Sequence, residues 1–177
     1  MDINEIVKQF KFSGRFIKAV PYGFGHINST FSVYFENEDY SIHRYILQKI
    51  NTKVFKSPED LMENIENVTA HIKNKIMASG GNPNRESLII VYTKDGKSFY
   101  KSENGDCFRA YIFIENAKTY QLVENPMHLY NSGKAFGKFQ QLLSDFPAEK
   151  LHETIPDFHN TVKRYETFLK SVEKDVK

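Results

Sequence analysis

The residues best placed for chemistry lie in Tyr22-Gly23-Phe24-Gly25-His26-Ile27-Asn28-Ser29-Thr30-Phe31, a turn with two glycines between two strand-like runs. Glycine lacks the Cβ that would hold a ligand off the main chain, so successive amides in such a turn can line up against an anion. Gly23 and Gly25 supply a G-x-G, and Asn28 stands where a third glycine would complete the longer pattern. Ser29 and Thr30 add hydroxyl donors just beyond it, and His26 can donate from within the turn. These types in this order point to the holding of phosphate groups. An ordinary hairpin with two convenient glycines accounts for the same residues, and the other common phosphate cradle, G-x-x-x-x-G-K-[ST], occurs nowhere in the chain.

Phosphate also calls for a cation. One large class of phosphoryl-transfer site places a lysine on the third strand and steadies its ammonium with a carboxylate from the next helix. Lys49 and Glu63 are the matching residue types, with Glu66 an equal candidate for the carboxylate. Along Tyr45-Ile46-Leu47-Gln48-Lys49-Ile50, alternation puts Leu47 and Lys49 on one face and Gln48 on the other. Only one of the two polar residues can therefore enter a cleft; Lys49 is preferred, and the alternative has Gln48 facing the ligand with Lys49 solvated. The machinery that would fire a transfer is missing. There is no His-x-Asp followed five positions later by Asn and no Asp-x-Asp, and the six histidines show no metal-site spacing. His159 falls near a helix start, where capping or packing suits it better than catalysis.

The elements that must position these residues follow from periodicity. Ile3, Ile6, Val7 and Phe10 predict a short opening helix ending near Ser13-Gly14. Phe16 to Val20, Asn28 to Phe35 and Tyr40 to Ile50 are rich in aromatic and β-branched residues and predict a three-stranded antiparallel meander. Ser57-Pro58-Glu59-Asp60 is a strong helix start, and Leu61, Ile65, Val68, Ile72 and Ile76 form one stripe until Gly80-Gly81-Asn82-Pro83. Asp95-Gly96 predicts a hairpin joining Leu88–Tyr92 to Lys97–Lys101, and Cys107 to Glu115 forms one more strand. Helical spacing then runs from Leu129 to Leu143, and again from about Pro156 through Phe158, Val162, Tyr165, Phe168, Leu169 and Val172. The expected class is α+β, an antiparallel sheet with one long helix, with a boundary near residues 115 to 120 that divides 1–115 from a helical part, 116–177.

Composition narrows the partners. Lys plus Arg number 24 against 22 acidic residues and are interspersed, so no basic stripe tracks a nucleic acid. No apolar run nears the ~20 residues that span a bilayer, and the amino terminus lacks a secretion pattern, so a cytoplasmic protein is expected. Cys107 is the sole cysteine and reads as core filler.

Gly23 to Phe31, Tyr45 to Asn51, Phe55 with Leu61-Met62-Glu63-Asn64-Ile65, and Phe108-Arg109-Ala110-Tyr111-Ile112-Phe113-Ile114-Glu115 together resemble the aminoglycoside phosphotransferase and choline kinase superfamily. Gly133 to Phe139 and Leu151 to Thr161 extend the likeness, which is nearest to the N-acetylhexosamine 1-kinase group. The resemblance implies a protein-kinase-like N-lobe followed by the first helices of a truncated C-lobe. It implies ATP with Mg2+ as the nucleotide and a sugar acceptor phosphorylated at its anomeric hydroxyl. Kinases of choline, homoserine or an aminoglycoside are the alternatives, as is a non-catalytic module binding a nucleotide or a partner. Carried onto this chain, Gly23, Gly25, His26 and Asn28 would cover the phosphates and Gln48 or Lys49 would hold the third-strand position. Tyr111, Ile112 and Phe113 would be the hinge at adenine. The family's catalytic loop and metal-binding Asp would lie beyond Lys177, leaving this chain inactive alone and its last helices uncovered, so self-association is expected.

Overall fold

The computed structural model describes residues 2–175. It is an α+β fold: a six-stranded, wholly antiparallel sheet with helices before, within and after it. Strands β1 (Arg15–Pro21), β2 (Ser29–Glu36) and β3 (Ile42–Lys49) form the expected meander. Helix α1 (Ile3–Val7) is capped by Asp2, whose Oδ1 accepts from the Asn4 amide at 2.9 Å. It stops well short of Ser13-Gly14, because Phe10 leaves helical geometry to bridge Thr93 and is 2% exposed.

Helix α2 (Pro58–Ala78) starts as its cap chemistry requires, with Ser57 Oγ accepting from the Asp60 amide at 3.2 Å. A one-turn helix α3 (Pro83–Glu86) follows. The expected hairpin across Asp95-Gly96 is replaced by a different pairing. The 93–97 turn forms, with the Thr93 amide donating to the Lys97 carbonyl at 2.8 Å. The flanking strands β4 (Ile90–Val91) and β5 (Phe99–Lys101) do not pair with each other; both pair with β6 (Cys107–Ile112). The true hairpin is β5–β6, closed by Ser102 to Asp106 with Gly105 at φ +81°. The sheet order is β1-β2-β3-β6-β4, with β5 beside β6.

Each face of the sheet has its own cover. Val33, Phe35, Tyr45, Leu47, Phe108 and Ala110 pack under Ile6, Val7 and Phe10 in the main core. On the opposite face, Leu61 and Met62 of α2 meet Ile50 and Cys107, with Phe55, Ile65, Ile90 and Phe99 around them. Cys107 is core filler, as expected, and burial pushes its thiol pKa up.

Past β6 come α4 (Pro126–Leu142), a 3-10 turn (Ala148–Lys150) and α5 (Thr161–Lys174). Helix α5 begins later than its apolar spacing implied, since Asp157 takes φ +59° and Asn160 becomes the cap, accepting from the Lys163 amide. Both helices keep most of their large apolar side chains exposed, among them Phe136, Tyr165, Phe168 and Val172. No helix among the described residues is long and apolar enough to cross a membrane.

Candidate functional site

The strand register decides which side chains share the face beneath α2. Thr30 lies opposite Gln48, Ser32 opposite Ile46 and Tyr34 opposite Arg44. Gln48 in turn lies opposite Arg109, and Ile46 opposite Tyr111. Because side chains alternate strictly along a strand, Thr30, Gln48 and Arg109 form one polar row on that face. The row is hydrogen-bonded: Gln48 Nε2 donates to Thr30 Oγ1 at 2.9 Å, and Arg109 Nε donates to Gln48 Oε1 at 3.1 Å.

Lys49 is on the other face, opposite Phe108 and Ser29, where its ammonium meets Asp106 Oδ2 at 2.6 Å. It does not reach Glu63. Glu63 points outward instead and accepts from His152 Nε2 at 3.0 Å, while Asn64 beside it exchanges two hydrogen bonds with the His152 backbone, each 2.8 Å. Glu66 lies beside Tyr92, whose phenol is shifted up by burial first and by that carboxylate second. The strand-lysine to helix-carboxylate pair is therefore absent from this arrangement, and Gln48 is the third-strand polar residue on the α2 side.

The glycine turn is open. Gly23, Gly25 and His26 are exposed, Gly23 holds φ +81°, and a Cβ built on Gly23 or Gly25 meets nothing within 4 Å. The Tyr22 amide closes the hairpin onto the Thr30 carbonyl at 2.9 Å. Among the described residues, no protein acceptor takes the amides of Gly23 through Asn28. Asn28 anchors the returning end, its Oδ1 accepting from the Asn51 amide at 2.9 Å just past β3. The turn is thus tied at both ends, and its exposed amides in between have no protein acceptor.

At the far end of the same face, the ring of Tyr22 meets that of Phe113 edge-on with centroids 5.3 Å apart. The Arg44 guanidinium stacks on Phe113 at 3.8 Å and forks onto both carboxylate oxygens of Glu115. That pairing holds the Glu115 carboxyl below its ordinary range. Tyr111 is 6% exposed, and burial pushes its phenol up to about 12. The amides of Ile112 and Phe113 are already committed, to the carbonyls of Ile89 at 2.9 Å and Arg44 at 3.2 Å. Free donors begin only at Ile114 and Glu115.

Sequence reasoning placed the turn, the Thr30 hydroxyl beyond it and the strand that follows, but passed over Arg109 and Asn51 as members of the site. A signal for Arg109 was present: a lone charge inside Cys107-Phe108-Arg109-Ala110-Tyr111, otherwise a run for a buried strand. No protein-family model matches the chain.

Proposed function

We propose that this chain is the nucleotide-binding part of an ATP-dependent small-molecule kinase, a kinase-like N-lobe over 1–115 followed by the first helices of a second lobe over 116–177. The acceptor we propose is a sugar hydroxyl, at the anomeric position of an N-acetylhexosamine. The supporting observation is the run of unengaged amides from Gly23 through Asn28, in the turn that leads into β2, where Thr30 begins the row that continues through Gln48 to Arg109.

In this function, the turn amides receive phosphate oxygens, and the Thr30 hydroxyl and Gln48 amide set the floor beneath them. Adenine lies toward Tyr111 and Phe113, where the open amides of Ile114 and Glu115 can read its edge. ATP supplies the phosphoryl group and magnesium offsets its charge. Among the described residues no three His, Cys, Asp or Glu side chains gather as a metal cage. In this role the chain binds and orients the nucleotide, the part of catalysis that rests on placement.

The test is calorimetric titration of the chain with a non-hydrolysable ATP analogue, with and without magnesium. Saturable binding that weakens when the phosphates are removed is expected. Absence of binding at millimolar analogue in both conditions would refute the proposal.

A further inference from the structure

Arg109 is the most anomalous side chain on the sheet. A guanidinium stays charged at any ordinary pH, and burying it without an anion is costly. Arg109 nonetheless retains only 9% of its surface, in the middle of β6. Its Nε donates to the neutral Gln48 carbonyl, its guanidinium lies 5.4 Å from the Tyr111 ring centroid, and its Nη1 is buried with no partner. Among the described residues no carboxylate comes within ion-pair distance of it. Asp106, Glu63 and Glu115 are engaged by other cations, Lys49, His152 and Arg44 respectively. Burial lowers the Arg109 pKa, and no neighbouring carboxylate acts against that shift.

Its orientation is imposed. Gln48 Nε2 is committed to Thr30, so the Gln48 carbonyl oxygen must face Arg109. Thr30 lies two residues past Asn28, where the glycine turn ends. Two strand spacings separate β2 from β6, about 10 Å, a distance that a polyphosphate anchored on the turn can cover. Lys49 cannot do the same without breaking its bond to Asp106 and crossing to the other face.

Building on the nucleotide-binding proposal above, we infer that Arg109 is the cationic anchor for a phosphate group of the bound nucleotide, steered by Gln48 and Thr30, in the role the sequence assigns to Lys49. Three probes on the full chain test it by calorimetry: ADP, adenosine and pyrophosphate. Wild type is expected to bind ADP at least tenfold more tightly than adenosine. Arg109→Met is expected to weaken ADP by about ten- to a hundredfold, the value of one or more charge-assisted hydrogen bonds, with adenosine unchanged. Without ligand, Arg109→Met should melt no lower than wild type, because it removes a buried charge that has no anionic partner. Gln48→Glu gives that charge a partner, so a higher melting temperature and weaker ADP binding are expected together. An unchanged ratio of ADP to adenosine affinity in Arg109→Met, or a loss that follows Lys49→Met instead, overturns the inference while the nucleotide site stands. Pyrophosphate bound in an Arg109-dependent way with no adenosine binding overturns the nucleotide assignment and leaves the anion anchor. Wild type that binds none of the three sinks both.

Discussion

Replacing Gly25 with valine separates a ligand-binding turn from a merely structural one. Gly25 is exposed, its φ is outside the left-handed region, and a Cβ there meets no atom within 4 Å. Valine therefore adds neither backbone strain nor a clash, and the change in stability should stay within about 0.5 kcal/mol, as for surface substitutions generally. Gly23 differs: at φ +81°, alanine would cost roughly 1–2 kcal/mol of left-handed strain before any ligand is considered. In the proposed complex, the Gly25→Val isopropyl group would occupy the space through which a phosphate oxygen approaches the turn amides. Loss of one charge-assisted hydrogen bond is worth about 1.5–3 kcal/mol, or about a ten- to hundredfold rise in Kd. Differential scanning fluorimetry should show an unshifted melting temperature, and calorimetry with the magnesium complex of an ATP analogue should show the weakened binding. Affinity kept within twofold would mean that no phosphate approaches Gly25. A large fall in melting temperature would mean that the residue serves the fold.

Three other outcomes follow from the same geometry. Tyr111 titrates near 12 when folded and near 10 when unfolded, so its stabilising contribution is full below pH 10 and is lost as pH rises from 10 to 12; denaturant titrations should show a fall of about 2–3 kcal/mol across that window, and Tyr111→Phe should remove it. Asn64→Ala deletes both hydrogen bonds to the His152 backbone, an expected loss of about 1–2 kcal/mol for the docking of that segment, read as faster amide exchange over 148–152; unchanged exchange would show that the contact does not hold it. Tyr165, Phe168, Leu169 and Val172 leave α5 with an exposed apolar stripe, so sedimentation should show concentration-dependent association that Leu169→Lys reduces, and a monomer at all concentrations would count against it.

Where elements are specified by neighbouring residues, the sequence was a reliable guide. The β1–β3 meander follows from alternating aromatic and β-branched residues, and α2 from the Ser57 cap followed by a stripe four and three residues apart. The Asp95-Gly96 signal was locally correct, since the 93–97 turn exists, yet wrong about partners. A tight turn fixes the direction of the chain, but β4 and β5 reach more ladder by lying end to end along the buried strand β6 than by pairing with each other.

Local chemistry alone specified a glycine turn between two strands, and it specified that Gln48 and Lys49 must point in opposite directions, because a period of two permits nothing else; that the turn is open only the tertiary structure showed. Which of the two shares a face with α2 was settled only by the register between β3 and β6, in which Gln48 meets Arg109 from 61 residues away and Lys49 falls on the side where Asp106 lies. Pairing between distant strands depends on how two apolar faces are covered at once, by α1 on one side and α2 on the other, and no window of neighbouring residues contains that information.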